Sequence, residues 1–535
     1  MKRNHFIRMT IVLAVFCLMI SGCQGSGGNE ASSPTSKATS TPGEKPKPSD
    51  KEQEQVKLTW YSVVYADRPD TDMVWEKVND YLKKKIHTTL DYHFYNISDF
   101  KEKMPAVLAS GQYLDILATG TSYNFAANAQ KNAFHPMEDL IPKYMPKTKK
   151  IVPDGAWDAV TMDGHIYAVV PYKDLAARWG YIYNKTMTDE YGITVPESGK
   201  WSVFQDLIPM LYEAKQKRDA AQPDLKDVPI MDLIGNTEAY YPHEVLDGLA
   251  VVNVPGVEAF KGKGKGETVF NIFETKEYKE LCETIKKLVH DGIFPYDAAN
   301  FDKDKELMKA HKLLGIYPQG YIEIQDDMNP GQVSALTNSD LSIMTNSYVR
   351  STLQAISSKS KHPERAAMFL ELLNTDPVVS NYARFGIEGQ HYSLAKDGRI
   401  DITDSPRNGG RSNADYGYYY WYGGEFGNIL GGNIPTFVSK EFPKKLAELN
   451  DGSIKDTNLG FSFDTTPVTN EIAACSNVIS QFDSKTNLKS GMIEDIDGTL
   501  NDFLSKLKAN GSQKIVDEAQ RQLTKWRASV GKSTK

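Results

Sequence analysis

The sequence predicts an α/β fold built on a parallel sheet. Strand-like and helix-like periodicities alternate as β-α-β-α-β over residues 56–119, an order that places helices on the faces of a parallel sheet. At 535 residues the chain is long enough for two or three domains. Beyond the N-terminus, no apolar run approaches the ~20 residues of a membrane span.

"VKLTWYSVVY" (Val56–Tyr65) alternates apolar and polar residues, is rich in β-formers and reads as the first strand. "DMVWEKVNDYLKKKI" brings Met73, Trp75, Val78, Tyr81, Leu82 and Ile86 together at helical spacing. "TLDYHFYN" is the second strand, "DFKEKMPAVLAS" a helix stopped by Gly111, and "LDILATG" a short buried strand. "FHPMEDLIPKYM" opens a further turn and helix. "DGHIYAVVPY" (Asp163–Tyr172) is a glycine turn entering a strand, and "RWGYIYN" (Arg178–Asn184) is another strand. A short helix stops at Gly192, and "SVFQDLIPMLYEAKQKRDA" is a longer amphipathic one. "TKEYKELCETIKKLVHDGIF" puts Leu281, Ile285, Leu288 and Val289 on one face and ends at Gly292. "LLGIYPQGY" (Leu313–Tyr321) is a buried strand, and "HPERAAMFLELLNTDP" is helical from Pro363, an N1 proline, to about Asn374. "QKIVDEAQRQLTKWRAS" closes the chain with Ile515, Val516, Ala519, Leu523 and Trp526 on one stripe. No repeat of fixed period is present.

The N-terminus carries Lys2, Arg3 and Arg8 ahead of a short apolar run, Met9–Ile20, the layout of a secretory signal peptide. Ile20-Ser21-Gly22-Cys23 resembles the bacterial lipobox, in which the cysteine receives a diacylglycerol and the chain is cut just before it. Residues 1–22 are the expected signal. Residues 23–55 are rich in Gly, Ser, Thr, Pro, Lys and Glu and read as a disordered tether. Two acyl chains on Cys23 give stable anchoring.

Three of the 62 basic residues leave with the signal, so 59 face 69 acidic residues, a net charge of −10. No strongly basic segment survives, which argues against nucleic acid. Cys282 and Cys475 are the cysteines after Cys23, and they either pair or stay as buried thiols. There is no G-x-S-x-G, no H-E-x-x-H and no paired C-x-x-C. "EDIDG" (Glu494–Gly498) lacks carboxylates at the first and twelfth positions of a calcium loop. Asn96 heads an N-x-S triplet. No carboxylate pair stands out for glycoside hydrolysis.

Aromatic residues are more informative. Trp60, Tyr61 and Tyr65 lie in and after the first strand, Trp179 and Tyr181 alternate on another, and "YGYYYWYGGEFGN" (Tyr416–Asn428) masses aromatics before two glycines. Consecutive residues of a strand point to opposite faces, so this run cannot all turn inward. Rings with a flat apolar face and a polar edge suit sugars, whose own rings have a C–H face and a hydroxyl rim. Core packing is the competing assignment for each ring.

Several stretches together resemble the extracellular solute-binding lipoproteins of bacterial carbohydrate ABC transporters. These are "MPAVLASGQYLDILATG", "AFHPMEDLIPKYMP", "DGHIYAVVPY", "GYIYNKTMTDEYGI" and "ISSKSKHPERAAMFLELLNTDP". "YARFGIEGQHYSLAKDGRI" and "WYGGEFGN" are similar to the long Lpl/LipO-like subgroup with an extra C-terminal region. The resemblance spans about Val56 to Ser529. It implies a two-lobed, type II periplasmic-binding-protein-like fold with a ligand cleft between hinged lobes. One lobe is expected over 56–170 with a return near 312–356, the other over 171–311 with 357–450, and residues 451–535 as an extension packing on the lobes. The implied function is capture of an oligosaccharide for an ABC permease, by a monomer without catalytic activity or cofactor. Long relatives with an Asp/Asn-rich calcium loop carry it after the helix that here ends near Lys217. This chain has "RDAAQPDLKDVPI" there, without the Asn-Gly core, so no structural calcium is expected. A secreted carbohydrate-active hydrolase or lyase, and a sugar-binding surface module without a transporter, are the rival readings.

Loops after the carboxyl ends of parallel strands line the crevice in such folds. The candidate ligand-binding residues are accordingly Trp60, Tyr61, Tyr65, Asp67, Arg178, Trp179, Tyr321, Trp421, Glu425 and Phe426. Trp179, Tyr321 and Trp421 are expected to stack on sugar rings. Asp67, Arg178 and Glu425 are expected to meet hydroxyls, and Arg178 has an ion pair as its alternative role.

Overall fold

The computed structural model describes residues 54–64, 69–176, 180–197, 203–231, 249–254, 257–260, 267–297, 300–301, 303, 306–307, 310–318, 333–337, 343–402, 424–484 and 486–531. Residues 54–535 form one compact unit. The principal strands are β1 (Val56–Val63), β2 (Thr88–Tyr95), β3 (Ile116–Thr119), β4 (Gly180–Asn184), β5 (Gly315–Pro318), β6 (Val333–Thr337) and β7 (Leu353–Ile356). The principal helices are α1 (Thr71–Ile86), α2 (Ile97–Ser110), α3 (Ile208–Ala221), α4 (Lys276–His290), α5 (Pro363–Thr375), α6 (Pro377–Phe385), α7 (Thr469–Phe482), α8 (Ile496–Ala509) and α9 (Ser512–Ser529).

The expected β-α-β-α-β run is present as β1-α1-β2-α2-β3. β1 lies between β2 and β3 and pairs in parallel with both, Val56 opposite Thr88 and Trp60 opposite Ile116. α1 turns Val74, Trp75, Val78 and Leu82 onto the sheet. Its last turn carries Lys83, Lys84 and Lys85, favourable at the negative end of the helix dipole. α2 begins at Ile97, two residues before the expected start, because the Asn96 side chain accepts the Asp99 amide at 2.9 Å. The N-x-S triplet is therefore a helix N-cap. β7 closes the sheet from far along the chain, antiparallel to β3, with Leu353 opposite Thr119. A second sheet has β4 between β5 and β6, antiparallel to each.

Two hydrophobic cores follow. The first gathers the four-stranded sheet with α1, α5 and α6, including Leu58, Trp60, Trp75, Leu353, Phe369 and Leu446. The second gathers α3, α4 and α7–α9, including Leu281, Cys282, Leu314, Phe461, Phe503 and Leu523. Cys282 and Cys475 are free, buried thiols.

The expected lobe boundaries differ from these cores in three places. Residues 357–450 were expected in the second lobe, but Ala366, Phe369, Leu373 and Leu446 are first-core side chains. The return near 312–356 is expected in the first lobe; Met344 and β7 do join the first core, but β5 and β6 pair with β4, and Leu314 is in the second core. Residues 451–535 are more than an extension, since Phe461 to Leu523 supply a large part of the second core. Pairing partners decide each case, and they lie far away in sequence.

Among the described residues, the chain passes between the cores three times. Ala176 belongs to the first and Met187 to the second; Leu314 to the second and Met344 to the first; Leu459 to the first and Phe461 to the second. At the third crossing Gly460 has φ +98°, and a Cβ there would stand 2.9 Å from the Asp158 carbonyl oxygen. Only glycine combines that backbone with so close an approach. Among the described residues, no helix is long and apolar enough to cross a membrane.

Candidate functional site

The carboxyl ends of β1 and β3 form the edge where ligands are expected. β3 runs into Gly120-Thr121-Ser122-Tyr123. The Thr121 amide donates to the Arg350 carbonyl at 2.8 Å, which fixes this turn against the chain entering β7. Ser122 and Asn124 are exposed and Tyr123 is half-buried. The Tyr123 ring meets Phe100 edge-on at 5.2 Å. Burial, with the Glu425 charge adding to it, pushes its phenol up to about 12. The sequence reading passed over this turn because it carries no motif beyond small polar residues.

At the end of β1, Tyr65 and Asp67 lie outside the described residues, and the chain is met again at Pro69. The far side of that loop is pinned. Nδ1 of the fully buried His391 accepts the Ile387 amide at 2.8 Å, so Nε2 carries the proton and donates to Asp70 at 3.0 Å. The "EGQHY" stretch thus holds the root of the β1 loop.

Trp60 and Phe426 are interior side chains. Trp60 is 0% exposed, and its ring meets Trp75, Phe94, Phe369 and Phe426 at 5.2–5.9 Å. Phe426 also packs on Trp75 and Phe94. No ring face is left for a ligand at either residue. Tyr61 points to the other side of the sheet and stacks on His93, centroids 4.6 Å apart. Its hydroxyl accepts from Gln112 at 3.2 Å. Glu425 is 2% exposed. Its carbonyl accepts from Gln354 Nε2 at 2.8 Å, while Gln354 Oε1 accepts from Trp60 Nε1 at 3.1 Å. Burial pulls the neighbouring Arg384 guanidinium down to about 10, and the Glu425 charge opposes that shift. Glu425 thus works within the protein's interior electrostatics. Arg178, Trp179, Tyr321 and Trp421 lie outside the described residues, as does Cys23.

Residues 424–429 and the chain just before the first crossing, residues 171–175, are joined in one patch. The Tyr172 amide donates to Asn428 Oδ1, and the Ile429 amide donates to the Tyr172 carbonyl at 3.0 Å. Asn450 accepts the Leu175 amide at 2.9 Å and donates to the Lys173 carbonyl at 2.7 Å. Gly427, at φ +82°, packs so closely on Leu373 that a side chain would strike its carbonyl.

The third crossing is held from both sides. Arg350 Nε donates to the Ala159 carbonyl at 2.6 Å, Nη1 to Ser462 Oγ at 2.8 Å and Nη2 to the Gly460 carbonyl at 3.2 Å. Burial lowers its guanidinium to about 9. Asn346 accepts the Gly460 amide at 2.8 Å and donates to the carbonyls of Asn458 and Phe461, both at 3.1 Å. From α9, Arg527 reaches Asn458 Oδ1 at 2.8 Å. Beside this crossing is a cavity of about 170 Å³, lined by Thr121, Phe125, Asn346, Arg350, Phe461 and Phe463 among others. It joins the β3 edge to the crossing, and nothing in the sequence marked it. Among the described residues, no cluster of three or more His, Cys, Asp or Glu is gathered as for a metal.

Two α/β lobes joined by three crossings are the frame of a type II solute-binding protein. Residues 457–528, from the third crossing through α9, match a family model described as a domain of unknown function (DUF3502). The chain is 28% identical over 472 residues to a carbohydrate ABC transporter substrate-binding protein of Streptococcus pneumoniae, covering 85% of this chain and 88% of the relative. It is 24% identical over 331 residues to the fructooligosaccharide-binding FusA of the same species, covering 59% of this chain and 58% of the relative. The crystal structure of the N-glycan transport solute-binding protein NgtS from S. pneumoniae superposes with a TM-score of 0.70 at 24% identity, covering 87% of this chain and 98% of that one. NgtS has also been solved with Man1GlcNAc and Man5GlcNAc. Over most of its length the chain is thus similar to the substrate-binding proteins of bacterial carbohydrate ABC transporters.

Proposed function

We propose that this protein captures an oligosaccharide between its two lobes and presents it to an ABC permease, and that a lipid on Cys23 keeps it at the outer face of the cell membrane. The observation that carries the reading is the joining of the chain just before the first crossing, residues 171–175, to residues 424–429 at the lobe junction. The Thr121–Asn124 turn, with exposed Ser122 and Asn124 and half-buried Tyr123, completes the surface this reading assigns to ligand. The sugars that relatives bind, Man5GlcNAc and kestose, are the natural first probes.

Trp421→Ala is expected to weaken oligosaccharide binding by roughly 1–3 kcal/mol, the usual cost of an aromatic hot spot, with Tm nearly unchanged. Calorimetry and a thermal melt on the same preparation check this. A sharp fall in Tm with normal affinity in the folded fraction would make Trp421 a core residue. Hinged capture also predicts a smaller radius of gyration at saturating ligand in small-angle scattering.

Cys23→Ser is expected to release the protein from the membrane fraction, because the Ile20–Cys23 lipobox is the anchor in this reading. Retention of the variant at the membrane after signal removal would contradict it.

A further inference from the structure

The stretch without an Asn-Gly core is organised around a side chain. Arg218, in the last turn of α3, is fully buried. Its guanidinium is enclosed by oxygen. Nε and Nη2 donate to Asp219 Oδ1 at 2.9 and 2.7 Å. Nη1 donates to the carbonyls of Pro229 and Lys312, both at 2.8 Å. Nη2 also donates to the carbonyls of Leu225 and Val228, at 3.0 and 2.5 Å. One turn earlier, Lys215 donates to the other Asp219 oxygen at 2.6 Å and to the Lys226 carbonyl at 2.7 Å.

A carboxylate and several main-chain carbonyls converging on one point are the donor set of a hard cation. In this loop the charge at the centre is covalently part of the chain. Carbonyls buried in this way need a donor or a cation, since leaving them unpaired is costly. The planar fork of arginine, with five donors in fixed directions, is suited to serving several of them at once.

The consequence reaches the second sheet. Directly after Pro229, the Ile230 carbonyl accepts the Leu314 amide at 2.7 Å, and Met231 bridges Gly315 in parallel. Ile230 and Met231 both donate to the Ile293 carbonyl, at 3.0 and 3.2 Å. Lys312, whose carbonyl Arg218 holds, is three residues before β5. Arg218 thus links the loop, the strand entering the sheet and the exit of residue 231. β5 in turn pairs with β4, the strand that follows the first crossing.

We propose that the Arg218 guanidinium is the resident cation of the 222–230 loop and sets the edge of the second sheet without a divalent metal ion. The proposal concerns assembly of the second lobe and stands independently of which sugar is bound. The test uses the full mature chain. Thermal melts are run on wild type, Arg218→Ala and Arg218→Lys, each with EGTA and with millimolar CaCl2. Wild type is expected to melt alike in both buffers. A bound metal at large excess over its Kd would separate the two melts by several degrees. Arg218→Ala should lower Tm by at least about 5 °C, as expected when a buried network loses its centre. Arg218→Lys should fall between, because an ammonium has three donors in place of five. Amide exchange at Ile230 and Leu314 in Arg218→Lys should speed by about tenfold or more while α4 amides keep their protection. A wild-type Tm that rises with CaCl2 or drops with EGTA would overturn the proposal, as would an Arg218→Ala protein that melts with wild type. If Arg218→Ala does not fold, the wild-type buffers and the lysine variant still decide.

Discussion

Replacing Trp60 with alanine is expected to cost ~3–5 kcal/mol of stability, the range for deleting a large aromatic side chain from a core. The ring is fully buried among Trp75, Phe94, Phe369 and Phe426, drawn from four separate segments. Its loss leaves a cavity that those elements cannot collapse to fill. It also leaves Gln354 Oε1 without the indole donor at 3.1 Å. Trp60→Phe should keep most of the packing and lose mainly that hydrogen bond, about 1–3 kcal/mol for a buried acceptor left unpaired. Urea titration of both variants measures the difference. Oligosaccharide affinity of the folded fraction should stay at the wild-type value in each. A specific loss of affinity with unchanged stability would return Trp60 to the ligand surface.

Arg350→Met is expected to be comparably damaging, at the third crossing rather than in the sheet. The substitution keeps much of the side chain's volume and removes every donor. The carbonyls of Ala159 and Gly460 and the Ser462 hydroxyl then lose their partner. At ~1–3 kcal/mol for each of these three buried groups left unpaired, the total is roughly 3–9 kcal/mol before local relaxation recovers part of it. Arg350→Lys should recover part of this, since one ammonium serves fewer acceptors in fixed directions. Because the crossing joins the two cores, Arg350→Met should also speed amide exchange at Gly460 and Phe461 ahead of global unfolding. A variant that matches wild type in both urea midpoint and exchange would show that these bonds carry no stability.

Much of the first lobe was legible in the sequence. The helical spacing of Trp75, Val78 and Leu82 predicts the buried face of α1, and the alternation in Val56–Val63 predicts β1. Glycine stops were also readable: Gly111 and Gly292 both adopt positive φ after their helices. The candidate site was legible only as composition. Aromatic side chains near strand ends suggest either a sugar surface or a core, and local sequence does not separate the two. Trp60 and Phe426 proved to be core because their partners arrive from elsewhere. Trp60 reaches Gln354 across 294 residues of chain. Tyr123, the small polar turn at the end of β3 and the cavity at the third crossing had no local signal at all.

What the sequence by itself determined was local: the order of strands and helices over residues 56–119 and the glycine stops at Gly111 and Gly292. These follow from periodicity, backbone preference and solvation, which act over a few residues. What only the tertiary structure decided was membership: which lobe 357–450 joins, that β5 and β6 pair with β4, and that Arg350 and Asn346 hold residues 458–462. Those outcomes depend on the pairing of groups a hundred or more residues apart. The free energy of each such pairing exists only once both partners have been removed from water together.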